Sequence, residues 1–298
     1  MVMSSKKNIR FIINPISGIR SKKNIPKLIE QHLNKNLFNY DIAHTESAAH
    51  AKELLKEGVA LKKDAIIAVG GDGTLSLIAS ELIHTNIPMG IIPLGSGNGF
   101  ARSLNIPLKT ESAIQLLNSY NTVQIDTGSA NNIPFINVCG FGFDAHVSAK
   151  FASAGTRGLQ TYAKISLQEL RNYQIQEYKI IIENESKQIS AFIMAICNGP
   201  QYGNNAFIAP LAEFNDGLFD LTVLKDVTWK NMLGISTDLF LRTLHKSKST
   251  TSYKLKETTV IMPSEAYVNI DGEAIWFEPK IDIKMYPKSL KIIVPKHE

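Results

Sequence analysis

Two textures succeed one another along this chain of 298 residues. They predict an α/β domain built on a parallel sheet, followed by a mainly antiparallel β-sandwich domain. Up to about residue 125, short apolar runs alternate with stretches of helical spacing. Corners rich in glycine or asparagine follow several of those runs. From Thr122 onward the apolar residues come in short runs broken by Gly, Asn and Pro, the pattern of antiparallel strands.

Taken in order, residues 9–13 form a strand that stops at Asn14-Pro15. Residues 22–33 carry Ile25, Leu28, Ile29 and Leu33 at helical spacing. A short strand over 40–43 and a helix over 47–56, closed by Gly58, come next. Then come a strand over 64–69, a helix over 74–84 and a strand over 88–92. A helical stretch follows Asn98, and another covers 111–117. Such alternation implies a parallel sheet covered on both faces. Beyond it, strands are expected at 123–125, 135–138, 178–182, 192–196, 218–223 and 281–283, with helices near 158–173 and 228–244. Residues 290–294 form a strand that either closes the second domain or returns to the first. The boundary is expected near residue 125.

Composition narrows the function classes. At 44% hydrophobic and 20% charged the chain is an ordinary globular one. A net charge of +5 suits anionic substrates or an anionic membrane surface, and is too weak and too evenly spread for nucleic acid. Cys139 and Cys197 lie far apart, with neither metal spacing nor a disulfide framework, so a reducing cytoplasmic setting is expected. Residues 1–7 lack the apolar core of a signal peptide, and no apolar run nears the ~18 residues of a spanning helix. If the protein works on membrane material, it must reach it from the water side.

The densest chemical signal is Val69-Gly70-Gly71-Asp72-Gly73-Thr74-Leu75, at a strand-to-helix turn. Glycine permits close backbone approach to a ligand, and a helix N-terminus offers free N–H groups to an anion. One carboxylate in such a turn calls for a cation, so phosphate plus metal is the economical reading. Companion corners are Asn14-Pro15-Ile16-Ser17-Gly18, His44-Thr45-Glu46-Ser47 and Pro93-Leu94-Gly95-Ser96-Gly97-Asn98-Gly99. In a parallel sheet they share the carboxyl edge, where ligands bind. The P-loop, the G-x-G-x-x-G fingerprint, the nucleophile elbow and the H-E-x-x-H zinc motif are all absent. Later, Asp216-Gly217 and Asp271-Gly272-Glu273 each read first as hairpin turns. A hard-cation site at the former and a general base at the latter are the functional alternatives.

This ordered set resembles the diacylglycerol kinase catalytic-domain family, the bacterial soluble lipid kinases and their sphingosine kinase relatives. The match runs through Asn14-Pro15, Ser17-Gly18, the 70–74 turn, residues 93–98 with Phe100-Ala101-Arg102, and residues 140–145. It continues through Asn198-Gly199, Gly203, Ala209-Pro210, Asp216-Gly217 and residues 271–273. The resemblance implies a Rossmann-like nucleotide-binding domain over 1–125 plus about 288–298, and a lipid-substrate β-sandwich over 126–287. It implies an ATP- and Mg²⁺-dependent lipid kinase. Asn14, Pro15, Ser17, Gly18, Thr45, Gly70, Gly71, Asp72, Gly73, Thr74, Leu75, Ser76, Gly95, Ser96, Gly97 and Asn98 would line the ATP. Asp72 would act on the phosphates through Mg²⁺. Asp216 with the carbonyls of Glu213 and Leu218 would hold a structural Mg²⁺. Glu273, close to Asp271, would accept the proton of the lipid hydroxyl.

The chain departs from diacylglycerol-type relatives at three places. Gly99 stands where an aspartate is usual, Ser76-Leu77 replaces Asn-Glu, and Asn204-Asn205 replaces a glycine cluster. Sphingosine kinases also lack an acid there, so the first departure makes sphingoid-base acceptors more plausible. The alternatives are a soluble-substrate kinase related to NAD kinases and a non-catalytic nucleotide- or lipid-binding module. The expected partner is a lipid at the membrane surface, with peripheral contact and homodimerisation both compatible. The stretch 229–244 reads first as a core-packing helix with a basic end at Lys246 and Lys248. Its alternative role is docking on anionic lipid through Trp229 and those lysines.

Overall fold

The structure, a computed structural model, describes residues 5–15, 22–154, 158–225, 227–228 and 230–296. It divides into two compact units, Met1–Ile125 with Lys288–Glu298, and Asp126–Pro287.

The first unit runs β1 (Lys7–Ile13), α1 (Ile25–His32), β2 (Phe38–His44), α2 (Ala48–Ala60), β3 (Ala65–Gly70), α3 (Asp72–Leu82), β4 (Met89–Pro93), α4 (Gly99–Ser103) and α5 (Thr110–Leu117). The strands pair in parallel in the order β2-β1-β3-β4. Ile292, near the end of the chain's last strand, pairs in parallel with Met89 of β4. Every residue of β3 is buried, as an inner parallel strand covered on both faces must be. Helix α2 opens on Ser47, whose Oγ accepts the His50 amide. Gly58 does not close that helix, which runs on to Ala60. It is a packing glycine: a Cβ there would stand 2.8 Å from Ile66 Cδ1 of β3.

The second unit takes in the end of β5 (Thr122–Ala130), then β6 (Ile133–Phe135), β7 (Val138–Gly142), α6 (Phe143–Ser153), α7 (Leu159–Leu170), β8 (Gln176–Ile182), β9 (Glu185–Ala191), β10 (Ile193–Cys197), β11 (Phe219–Leu224) and α8 (Met232–Leu241). After a 3₁₀ turn at Leu244–Lys246 come β12 (Thr250–Leu255), β13 (Glu257–Ile261), β14 (Ala266–Ile270), β15 (Glu273–Phe277) and the first part of β16 (Lys280–Ile293). One antiparallel sheet has the order β12-β11-β10-β7-β14-β15, and in the other β16, β13, β8 and β9 are successive neighbours. Phe141, Met194, Ile196, Phe219 and Leu221 of the first sheet pack with Tyr178, Ile180, Val260 and Ile281 of the second. This is a β-sandwich core.

The structure departs from expectation in the second unit as well. The strand expected over 135–138 is two strands, because Ile136 and Asn137 leave the ladder. The apolar pattern missed β9, whose residues are mostly exposed and polar apart from Ile189 and Ala191. It is a sheet-edge strand, where polar side chains discourage edge-to-edge pairing. Helix α6 was missed because its short stretch of aromatic and small residues has no one-sided periodicity. Among the described residues no helix is long and apolar enough to cross a membrane.

The β7–α6 turn depends on Gly142, at φ +84, where an added Cβ would lie 2.5 Å from the Phe192 carbonyl oxygen. Gly142→Ala is expected to lower unfolding free energy by about 2–3 kcal/mol in urea denaturation, and an unchanged midpoint contradicts this role.

Candidate functional site

The carboxyl edge of the first unit's sheet brings three of the four corners together. Asn14 follows β1; its backbone N–H donates to Val69 O at 3.4 Å and its Nδ2 to Thr74 Oγ1 at 3.3 Å. Leu94, after β4, donates to Gly70 O at 2.7 Å. Gly71 and Gly95 lie backbone to backbone: a Cβ on Gly95 would stand 2.8 Å from Gly71 Cα. A Cβ on Gly70 would run into the Thr74 side chain at 2.6 Å. Thr45 is buried at the end of β2, its N–H bonded to Ile13 O at 2.9 Å. Pro15 is described, whereas Ser17 and Gly18 lie outside the described residues.

Asp72 is the only carboxylate in residues 70–76 and 93–99. It is the first residue of α3, and its Oδ2 accepts the Asn98 amide at 2.8 Å. Burial pushes its carboxyl above the ordinary value, opposed by the backbone amides of Asn98, Phe100 and Gly99. The carboxylate thus caps α4, whose own N-cap residue Asn98 is left-handed and turned back on Gly95 through paired 2.9 Å bonds. Two helix N-termini converge on one carboxylate, a setting suited to phosphate with a hard cation.

The Leu75 side chain is fully buried in the core, and its N–H bonds Gly71 O. Ser96 is exposed and Gly97 O accepts Arg102 Nε at 3.0 Å. Sequence reasoning overlooked Lys22, which is buried at the same edge with its ammonium bonded to the Asn14 carbonyl. Burial pushes its pKa down. Its one sequence signal was a lysine placed just after the 14–18 corner.

The second unit distributes its acids differently. Asp271 and Gly272, at φ +50 and +94, form the two-residue turn of the β14–β15 hairpin. The Asp271 carboxylate is fully engaged: Oδ1 accepts Asn137 N at 2.9 Å and Val138 N at 3.0 Å, and Oδ2 accepts Ile136 N at 2.8 Å. The carboxylate closes the gap between β6 and β7, satisfying the amides of Ile136 and Asn137 between the strands and that of Val138 at the start of β7. Glu273, two residues on, is exposed at the start of β15, and its carboxylate makes no hydrogen bond or ion pair among the described residues.

Behind this hairpin lies Asp144, to which sequence reasoning gave no role. It is buried on α6; Oδ2 accepts Asn269 Nδ2 at 2.7 Å and Oδ1 accepts the Tyr162 hydroxyl at 3.2 Å. Asn269 Oδ1 in turn accepts Gly272 N at 2.7 Å. Gly140 makes room, since a Cβ there would meet Asp144 Oδ2 at 2.0 Å. Burial raises the Asp144 pKa to about 6, against the hydrogen bonds of Asn269 and Tyr162.

The Asp216-Gly217 turn is not a hairpin, because β11 pairs with β10 and β12. Asp216 Oδ1 accepts Leu218 N at 3.0 Å, and Oδ2 pairs with Lys254 Nζ at 2.6 Å. Among the described residues no cluster of three or more His, Cys, Asp or Glu could hold a metal ion. An ammonium already on the one side-chain ligand does not fit a resident divalent ion there.

The raised Asp144 pKa has a definite sign. The folded protein binds this proton more tightly than the unfolded chain, so the stabilisation is full below about pH 4. It is lost as pH rises through about 6, by ~3 kcal/mol in all. The stability of the wild type relative to Asp144→Asn should fall across that window and stay flat above it. Parallel pH profiles from denaturant titrations contradict the assignment.

Comparison with known proteins agrees with both halves of the chain. Residues 8–130 match the diacylglycerol kinase catalytic domain, and residues 137–294 match the YegS C-terminal NAD kinase beta sandwich-like domain. The diacylglycerol kinase of Bacillus subtilis is 27% identical over 98% of each chain. A Yersinia enterocolitica protein described as "Probable lipid kinase YegS-like" is 30% identical, over 82% of this chain and 83% of its own. The crystal structure of a diacylglycerol kinase from Bacillus anthracis shares the fold, with a TM-score of 0.76 over 98% of both chains at 20% identity. With the second domain alone matching more than half of its length, the chain belongs to the diacylglycerol kinase family and is a lipid kinase.

Proposed function

We propose that the protein transfers the γ-phosphate of ATP, with Mg²⁺, to the hydroxyl of a diacylglycerol-like or sphingoid-base lipid. The observation that carries this reading is the meeting of Gly70, Gly71, Thr74, Gly95 and Asn14 around the N-termini of α3 and α4. Backbone amides and the buried Lys22 supply positive potential for a triphosphate. When bound, Mg²⁺ would neutralise charge developing on the transferred group. Asp72 is the residue that would hold it. The protein's own task is then positioning, together with removal of the acceptor's proton. Glu273 suits the latter as an exposed, unengaged carboxylate on a hairpin fixed by Asp271 and Asn269.

Glu273→Ala should reduce turnover by about 10²–10⁴-fold while nucleotide affinity and thermal stability stay at wild-type values. Wild-type turnover in that variant removes Glu273 from the mechanism. Position 99 lacks a carboxylate, so the acceptor is best sought with labelled ATP and Mg²⁺ against diacylglycerol, sphingoid base, ceramide, monoacylglycerol, undecaprenol and NAD. Turnover of NAD and of none of the lipids overturns the lipid reading.

We propose also that α8 docks on an anionic membrane. Ile235 and Leu239 pack inward, as a core helix requires, but Leu233, Phe240 and Leu241 are 77%, 54% and 66% exposed on one face. Exposed Lys230, Lys246 and Lys248 flank that face, while Trp229 lies outside the described residues. Such an apolar face with basic flanks suits a bilayer surface. The double substitution Lys246→Glu with Lys248→Glu should weaken binding to anionic vesicles several-fold and flatten its salt dependence. Unchanged binding and salt slope remove these lysines from docking.

A further inference from the structure

Among relatives of this chain the turn that contains Asp216 is expected to carry a structural Mg²⁺, yet here a side chain already supplies positive charge. Strands β11 and β12 pair in a register that puts Asp220 directly opposite Lys254. Cross-strand partners lie close enough on one sheet face for their side chains to interact. From that position Lys254 Nζ reaches Asp220 Oδ2 at 3.1 Å and Asp216 Oδ2 at 2.6 Å. The other oxygen of Asp216 accepts the Leu218 amide. Asp220 is buried, and among the described residues its Oδ2 makes no other polar contact. Removing the ammonium would leave a buried carboxylate uncompensated, the costly half of breaking an ion pair. A divalent ion on Asp216 would have to displace the ammonium that also neutralises Asp220.

We infer that Lys254 serves the second unit as a built-in cation, holding the 215–220 turn through Asp216 and Asp220 with no resident divalent metal. The sheet register delivers this charge, so it assembles with the fold instead of being recruited from solution. The inference concerns the stability of the second unit, and it stands whether or not the proposed lipid phosphorylation is correct.

The test is thermal unfolding of the full chain without ATP or lipid, first in EDTA and then in Mg²⁺ or Ca²⁺. The wild type should unfold at the same temperature in both, within about 1 °C. Lys254→Met, which keeps the aliphatic stem, should lose roughly 3–6 °C in EDTA, and Lys254→Arg should recover most of it. Adding Asp216→Asn to Lys254→Met should cost less than the two single losses together, because the Asp216–Lys254 pair can be lost only once. A wild type that loses several degrees on chelation and regains them with Mg²⁺ overturns the inference, and this arm needs no variant to fold. Unaltered stability of Lys254→Met in EDTA, or strict additivity in the double substitution, overturns it as well.

Discussion

Gly71 and Gly95 touch through their backbones, and no side chain larger than hydrogen fits between them. Much of the first unit's ligand edge depends on this approach. It brings the start of α4 within reach of Asp72, which caps α4 while itself beginning α3. Asn98 can then spend its side chain on Gly95 and hold the 95–98 loop in its left-handed turn. Thr74 is drawn to Asn14 by the same turn, so a third strand end joins the other two. Four orphan amides begin any helix. Here two such ends meet one carboxylate, Asp72, the single acid in residues 70–76 and 93–99.

In the second unit, environment sorts chemically similar acids into different tasks. Asp271 is saturated by three amides and acts as a strut for the strand ends. Asp144 is sealed among Tyr162, Tyr202 and Asn269, and through Asn269 it reaches the Gly272 amide. Asp220 is tied to a lysine on the neighbouring strand. Glu273 alone of the four is left to solvent at a strand end. Asp271 and, through Asn269, Asp144 hold the turn that carries Glu273, whereas Asp220 ties together strands elsewhere in the same sheet.

The α/β half was legible because its apolar runs are continuous and its corners are spelled in glycine, as at 70–73 and 95–99. Burial of β3 on both faces leaves that imprint directly. The sandwich was legible only through strands with buried faces, and β9 escaped because an edge strand need not be apolar. Gly58 misled because a glycine that permits close packing looks, in one dimension, like a glycine that ends a helix. Asp271 and Glu273 are two residues apart in sequence, yet the two side chains of this tight turn meet different surroundings, three amides for one and solvent for the other. Lys22 and Lys254 were invisible as partners, since their acceptors at Asn14, Asp216 and Asp220 are brought to them by tertiary pairing.

Strand β16 spans Lys280–Ile293 and serves both units in succession. Its first part pairs antiparallel with β13, and Ile292 then pairs in parallel with β4, while the Val294 amide bonds Asn121 O. During synthesis from the N-terminus, the edge of β4 therefore emerges long before its neighbour does. The whole sandwich is translated in the interval. Over that time the nascent first unit presents an unsatisfied apolar strand edge, the kind of surface that recruits other chains. Completion of the nucleotide-type fold is thus coupled to the arrival of the second unit, and the slow, non-local closure of β4 by residues 288–294 sets its timing.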